Sequence, residues 1–328
     1  MKDVIRWGIL GPGRIALRFA RTLMLTPGAQ VTAIASRSAE RSLSFAKQFN
    51  VDEKRAYDSY EKLANDPDVD IVYIATPHNF HAEQAILMME HGKAILCEKP
   101  LVATHAQAVA MIEASRRNKV FLMEAIWSHF VPAWQQALRH VADGDIGDVR
   151  YFNAVAAWSL PEVDLSNRLF DPALAGGGLL DAGPYTFSPM LEAMGGQDVK
   201  EIHAMAEMTP EHIDINLLIS VKFQNDALAS MFNSLMTSQS GIRIAGRSGL
   251  IDLPGSSADY LTLRVPGKPA RRYNFPFVRE VFVGEILEAQ RCLREGLLES
   301  PELPLSHSLK IAALYDQVAQ QIGMQFTF

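Results

Sequence analysis

The stretch Ala94-Ile95-Leu96-Cys97-Glu98-Lys99-Pro100 sets a carboxylate and an ammonium side by side at the end of a short apolar run. Such a run reads as a buried strand. Pro100, with no N–H to offer a ladder, predicts its end. Glu98 and Lys99 then lie at a carboxyl strand end, where open α/β sheets bind ligands. A cation delivered there can polarise a substrate oxygen. The heptapeptide alone fits equally well a Lys whose stem covers apolar surface while its head reaches water.

A second candidate is Gly176-Gly177-Gly178-Leu179-Leu180-Asp181-Ala182-Gly183-Pro184-Tyr185. Three glycines give backbone that can pass close to a ligand or accept positive φ. Asp181 and Tyr185 are four residues apart, so a helix starting at Leu179 or Leu180 puts them on one face. Pro184 is tolerated there only in the first turn. The same pattern is met by Asp181 as an N-cap and Tyr185 as a packing residue.

The third is Gly11-Pro12-Gly13-Arg14-Ile15-Ala16, which follows the apolar run Val4–Leu10 and opens a helical pattern. This is G-x-G-x-x-A, the dinucleotide fingerprint with its permitted small third residue. Gly11 serves the tight turn, Gly13 lets backbone approach a pyrophosphate, and Ala16 allows close helix–strand packing. The next strand, Gln30–Ala35, ends in Ser36-Arg37-Ser38. An NAD-selective fold wants an acid about 20 residues past the fingerprint. Ser36 holds that place, with Arg37 and Arg41 nearby, and an Arg fork suits a ribose 2′-phosphate. NADP(H) is expected over NAD(H). The alternative is that both arginines are solvated helix-start residues.

The elements that carry these residues alternate strand and helix through the first half. Asp70–Thr76 is an apolar strand; Pro77-His78-Asn79-Phe80-His81 opens a helix ending at Gly92; a helix from about Thr104 to Asn118 precedes a strand over Val120–Ile126. Such βαβ units predict a doubly wound parallel Rossmann sheet covered on both faces. Thr76, Pro77 and His81 fall on its cofactor side, although a His at a helix start is commonly a cap or packing residue. After Ile126 the pattern changes to a helix over Trp127–Val141 and then to strands. These cover Val149–Trp158, Val199–Met208, Ile213–Phe223, Ala227–Leu235, Ile242–Leu253, Tyr260–Val265 and Arg271–Phe275. Short turns join them as hairpins. The expectation is α/β overall, with a dinucleotide-binding domain over 1–125 and a C-terminal α/β domain over 126–328. That second domain carries a large open, mainly antiparallel sheet, closed by helices over Glu280–Leu298 and Ser306–Gly323, the C-terminal one packing back toward the first domain. An apolar open face is a natural dimer surface.

Bulk properties narrow the class. With 328 residues, 48% hydrophobic and 21% charged, the chain is that of a soluble globular protein of two domains. A net charge of −6 without blocks of Lys and Arg argues against nucleic acid as a partner. No stretch approaches a membrane span. Met1-Lys2-Asp3 runs straight into the first strand, with no signal peptide. Cys97 and Cys292 cannot make a disulfide framework, which points to a reducing, cytoplasmic location. No zinc-ligand spacing occurs, so no metal is expected.

The fingerprint, Glu98-Lys99-Pro100 and the glycine-rich segment with Asp181 and Tyr185 together resemble the Gfo/Idh/MocA oxidoreductases over essentially the whole chain. Met123-Glu124-Ala125-Ile126-Trp127 and Tyr185 are similar to one branch, the dimeric dihydrodiol dehydrogenases and NADP-linked xylose dehydrogenases. The resemblance implies a catalytic Lys at Lys99, often before a cis proline, and catalytic Asp and Tyr at Asp181 and Tyr185. Many family members carry His at the latter place, and Pro184 stands where an aliphatic residue is usual. Tyrosine titrates near 10, so acting as a base near neutrality requires help of about three units, or about 4 kcal/mol. A neighbouring ammonium supplies part of it. Tyr185 would remove the hydroxyl proton while hydride passes to a nicotinamide, Lys99 would polarise the substrate oxygen, and Asp181 would orient the substrate or Lys99 by hydrogen bonding. Trp127, Phe130 and Trp158 are candidates for stacking on a sugar or diol ring, with core packing as the alternative. The substrate expected is a sugar, polyol or cyclic vicinal diol. The competing function is a cofactor-binding sensor without turnover, a role one family member, a galactose repressor, fills.

Overall fold

The computed structural model describes residues 3–160, 162–164, 166–276, 280–324 and 326; Met1 and Lys2, which the sequence pattern leads into the first strand, lie outside them. The chain divides into two compact units, Met1–Ile126 with Phe282–Leu309, and Trp127–Val281 with Lys310–Phe328.

In the first unit β1 (Ile5–Leu10), α1 (Arg14–Leu25), β2 (Ala29–Ala35), α2 (Ala39–Gln48), β3 (Ala56–Tyr57) and α3 (Tyr60–Ala64) come first. They are followed by β4 (Ile71–Ile74), α4 (His81–Glu90), β5 (Ala94–Glu98), α5 (His105–Asn118) and β6 (Leu122–Ala125). The strands form one six-stranded parallel sheet in the order β3-β2-β1-β4-β5-β6. The order reverses between β1 and β4, the switch point at which such sheets open a ligand crevice. Every residue of β4, β5 and β6 is buried, so these strands read as apolar runs rather than as alternation. Side chains punctuate the helices: Ser38 caps α2, Ser59 caps α3, and Thr104 with Gln107 forms a capping box on α5. The sequence pattern misses β3, which at two residues is too short to carry a period. The helix expected to open at Pro77 is preceded by a 3₁₀ turn over His78–Phe80. The Lys99–Pro100 peptide is cis.

The second unit opens with a 3₁₀ turn over Trp127–Phe130, then α6 (Pro132–Ala142). One helix over this stretch is excluded by Pro132, which has no N–H for a continuous ladder and takes a helix-start position. Then follow β7 (Val149–Ala157), α7 (Gly178–Asp181), α8 (Pro184–Ala193), β8 (Val199–Met208), β9 (Asp214–Phe223) and β10 (Leu228–Ser234). The last strands are β11 (Gln239–Gly246), β12 (Leu250–Leu253), β13 (Tyr260–Arg264) and β14 (Arg271–Asn274). Eight strands pair as β14-β13-β12-β11-β7-β10-β9-β8, with β7–β10 parallel and every other neighbour antiparallel. The single strand expected over Ile242–Leu253 is a hairpin, Ile242 pairing Leu253 and Ala245 pairing Leu250. Its turn passes through Gly249, where a Cβ would stand 2.7 Å from Arg264 O.

One sheet face carries α8 against β7 and β10. On the other, cross-strand register aligns Tyr151 with Leu228, and Leu218 with both Phe232 and Met205. Tyr151, Leu228, Leu218 and Met205 are exposed. The closing helices are α9 (Val283–Glu295), a segment of the first unit, and α10 (Leu305–Ile322), in which the division between units falls after Leu309. Phe282, just before α9, packs edge-on to Phe19, which stacks on Tyr73 in the first unit's core. Among the described residues no helix is long and apolar enough to cross a membrane.

Candidate active site

At the carboxyl ends of β1, β2 and β4 lies a groove of about 290 Å³. Gly11 turns there at φ +88°, and a Cβ on it would stand 2.8 Å from Thr76 Cγ2, so only glycine fits. Gly13 is the N-cap of the twelve-residue α1, with no side chain bonded to its first turn. A Cβ on Gly13 would meet nothing nearer than Gly11 O at 3.9 Å. Free N–H groups and open space at a helix start suit a phosphate. Ser36, Arg37 and Arg41 line the groove with Thr76 and Pro77. No carboxylate is among its lining residues, so its charge is positive. Ser36, in the place an acid would hold, instead accepts the Ser38 N–H at 3.2 Å and shapes the turn. The Arg37 guanidinium lies over the Phe80 ring, 5.5 Å from its centroid. Tyr60 also lines the groove, a residue the sequence pattern offers only as a helix start. Arg14, Ile15 and Ala16 form the first turn of α1, with Ala16 fully buried against the sheet.

His81 does not line this groove. Its buried ring lies between Thr76 O (Nε2, 3.0 Å) and Pro100 O (Nδ1, 2.9 Å). It ties the end of β4 to the segment after β5. His78 is buried beside it, the rings edge-on at 5.8 Å.

Lys99 follows β5 among carboxyl groups of the same unit. Glu98 accepts hydrogen bonds from the Tyr73 hydroxyl and, at 3.2 Å, from Lys99 N–H. Burial pushes the Tyr73 hydroxyl well above its usual range, and Glu98 and Glu285 add to the effect. Glu124, on β6, accepts from Leu101 N–H at 2.8 Å and from Ser308 Oγ at 2.5 Å. Its burial raises it to about 6, opposed by those two donors and by the Lys99 cation.

In the second unit Tyr185 lines a cavity of about 230 Å³ with Trp127, Trp158, Ser240, Ser256 and Ser257. Ala156 and Ala157 are part of the wall and leave room for a ligand. Trp127 Nε1 donates to Tyr185 Oη at 3.0 Å, the two rings tilted with centroids 5.5 Å apart. Trp158 meets the Tyr185 ring edge-on at 6.4 Å. Its other side packs on the core cluster of Leu169, Phe170, Ile213, Ile215 and Leu235, so stacking surface and packing residue are one side chain. Phe130 instead packs edge-on against His129. Aromatic faces opposite hydroxyls suit a ring that is apolar on its faces and hydroxylated at its edge.

Asp181 and Tyr185 do not share one regular helix. Asp181 ends α7, Tyr185 is the second residue of α8, and the ladder between them shifts: Gly183 N–H bonds Gly178 O and Tyr185 N–H bonds Ala182 O. Pro184 supplies no donor and starts α8, while a Cβ on Gly183 would collide with Leu179 O. The backbone stays right-handed throughout. Asp181 is buried and paired with Arg168 Nη2 at 2.8 Å rather than capping a helix. Nothing in Asn167-Arg168-Leu169 signals that partner in the sequence. The three glycines pass close to other parts of the chain, and Gly177 takes the positive φ that such a run allows. A Cβ on Gly176 would stand 2.5 Å from Leu169 O, and one on Gly177, at φ +109°, would collide with Asp214 Oδ1. Asp214 is fully buried and accepts from Leu179 N–H at 2.7 Å. Its desolvation raises it to about 7.

Residues 5–126 match the family described as "Oxidoreductase family, NAD-binding Rossmann fold", and residues 134–252 match the GFO/IDH/MocA C-terminal domain. The trans-1,2-dihydrobenzene-1,2-diol dehydrogenase of Bos taurus is 34% identical over 335 residues, covering 98% of each chain. The chain belongs to the Gfo/Idh/MocA oxidoreductase family. Another relative of this Gfo/Idh/MocA protein, the dehydrogenase of the same name from Xenopus tropicalis, is 31% identical and covers 98% of this chain and 99% of its own. Its fold is also that of the aldose-aldose oxidoreductase of Caulobacter crescentus, solved with glycerol (TM-score 0.89, 22% identity, 98% of each chain). A 3-ketoreductase from Actinomadura kijaniata, solved with TDP-benzene and NADP, shares it too (TM-score 0.84, 24% identity, 97% and 98% covered). Within this family the present chain is an oxidoreductase on a nicotinamide-binding fold.

Proposed function

We propose that the protein is an NADP(H)-dependent dehydrogenase or reductase that moves hydride between the cofactor and a sugar, polyol or cyclic vicinal diol, or the corresponding carbonyl. The observation that carries this is Tyr185 Oη, hydrogen-bonded by an indole in a cavity faced with aromatics and hydroxyls. The dehydrogenases it resembles act, by name, on trans-1,2-dihydrobenzene-1,2-diol. The first unit is assigned to the cofactor and the second to the substrate.

When bound, the nicotinamide supplies the hydride acceptor or donor. Gly11 and Gly13 admit the pyrophosphate, α1 offers it N–H groups, and Arg37 and Arg41 hold the ribose 2′-phosphate; NAD is the weaker ligand. Thr76, Pro77 and Glu98 shape the nicotinamide end. Tyr185 takes the hydroxyl proton in oxidation and returns it in reduction. Trp127 N–H stabilises the phenolate by donating to its oxygen. Lys99 polarises the substrate oxygen, Asp181, held by Arg168, orients the substrate, and Trp127 and Trp158 give it stacking surface. No step needs a metal.

The open face bearing Tyr151, Leu228, Leu218 and Met205 is assigned to self-association as a homodimer or higher oligomer; a clean monomer on sizing overturns that. Two free, buried cysteines fit a reducing cytoplasm. The function itself is tested by following NADP⁺ reduction over aldoses, polyols, inositols and dihydrodiols, and NADPH oxidation with carbonyl compounds. Stoichiometric NADPH binding without turnover would favour a sensor instead.

A further inference from the structure

We propose that His129 and Glu192 form a positioning pair that fixes Trp127 against the Tyr185 hydroxyl. The inference rests on reading Tyr185 as the acid–base residue, but its geometry is independent of that reading. Trp127 and His129 belong to one 3₁₀ turn, and Tyr185 and Glu192 to one helix, seven residues or about two turns apart. The turn therefore meets one side of α8 at two points. Trp127 Nε1 donates to Tyr185 Oη at 3.0 Å, and His129 Nδ1 contacts Glu192 Oε2 at 2.8 Å.

The second point is the stronger one. Glu192 Oε2 also accepts from Trp134 Nε1 of α6 at 2.8 Å, and Oε1 accepts from Ser188 Oγ at 2.7 Å. One carboxylate thus gathers the turn, α6 and α8. Gln135 Nε2 donates to His129 O at 2.6 Å and lies 3.3 Å from His129 Nε2. The Gln135 amide thus faces Nε2 and the Glu192 carboxylate faces Nδ1, so it is the Nδ1 proton that goes to Glu192. His129 is 6% exposed and the Glu192 side chain 10%, so the charge-assisted bond acts away from water, where it is strongest. A lone neutral hydrogen bond would favour the Trp127–Tyr185 geometry only about fivefold. Neither His129 nor Glu192 lines the Trp127–Tyr185 cavity, and no charged residue does. Along the chain the charged residue nearest Tyr185 is Asp181, which is paired with Arg168. Glu192 therefore acts on Tyr185 through Trp127.

The test is a titration of the full-length protein carrying carbon-13 at tyrosine Cζ, followed by NMR. The Tyr185 signal is assigned by its loss in Tyr185→Phe. Trp127→Phe is expected to raise the Tyr185 midpoint by about one to two pH units, since it removes a donor to the phenolate. Glu192→Gln and His129→Leu are expected to raise it in the same direction. His129→Asn, which keeps an N–H donor near the place of Nδ1, is expected to hold it close to the parent value. The double variant Trp127→Phe/Glu192→Gln is expected to rise no further than Trp127→Phe. An unchanged midpoint in Glu192→Gln, or shifts that add in the double variant, would overturn the proposal. Should Glu192→Gln not fold, the contrast between His129→Leu and His129→Asn decides it. The measurement needs no turnover, so an active Tyr185→Phe would sink the catalytic reading and leave this one to be judged by the titration.

Discussion

The indole N–H of Trp127 donates to the phenolic oxygen of Tyr185 over 3.0 Å, in a cavity whose lining carries no charged side chain. A donor aimed at an oxygen that must carry negative charge favours the phenolate. Tyr185→Phe is expected to lower kcat by about 10²–10⁴-fold, the usual contribution of a general acid or base. Cofactor affinity should stay unchanged. Steady-state rates beside a binding titration check both halves. Lys99→Met should lower kcat/KM comparably, while Trp127→Phe should cost less and move the pH limb upward.

The proposed preference for NADP(H) draws on Arg37 and Arg41 in a groove with no lining carboxylate. Loss of one charge-assisted bond is worth about 1.5–3 kcal/mol. Arg37→Ala should therefore weaken NADPH binding by about 10–100-fold and NADH binding by less than about threefold. Calorimetric titration with both cofactors reads this, and equal losses for the two would contradict the assignment. Ser36→Asp should turn the preference toward NADH by placing an acid where a ribose 2′-hydroxyl is bound.

Asp214 gives stability a pH dependence of known sign. Burial raises it from 3.8 to about 7, so the native state holds a proton that the unfolded chain releases near 4. The native state binds more protons across that window, and stability falls as pH rises from about 4 to about 7. The full effect is of the order of 4 kcal/mol, and Glu124, raised to about 6, acts in the same direction. Urea midpoints should be lower at about pH 8 than at about pH 5. Asp214→Asn should flatten the difference; a variant with the parent's slope would refute the source.

The glycine run is a packing device for the loop that holds Arg168 and Asp181. Gly177 combines φ +109° with a Cβ direction blocked by Asp214. Gly177→Ala should cost more than about 2 kcal/mol in denaturant unfolding. Gly196→Ala, at φ +84° with nothing within 4 Å, should cost only the backbone term of about 1 kcal/mol.

Much of this architecture is written in local pattern. The parallel sheet shows in the unbroken apolar runs of β4 and β5, and the phosphate turn in Gly11, Gly13 and Ala16, because each depends on neighbours in sequence. The place of Lys99 just past a strand end is legible for the same reason, since a strand meets a proline there. Residues set by distant pairing are not. Arg168 finds Asp181 thirteen residues on, and His129 finds Glu192 across sixty-three. Pattern also misreads one local feature. Pro184 starts a second helix because Gly183 lets the chain shift its ladder, whereas the positive φ that the triple glycine allows is taken by Gly177, at +109°. The ring of His81 reaches the carbonyls of Thr76 and Pro100, and the second of these lies nineteen residues on, where no local pattern points.

The proposal stands on hydride transfer by this chain with Tyr185 moving the proton. It is tested most directly by recording NADPH formation from NADP⁺ over a panel of aldoses, polyols, inositols and dihydrodiols, with the parent protein and Tyr185→Phe in parallel. Turnover is expected with at least one of these classes, lowered by about 10²-fold or more in the variant. Tight NADPH binding with no turnover anywhere in the panel, or a variant as active as its parent, would contradict it.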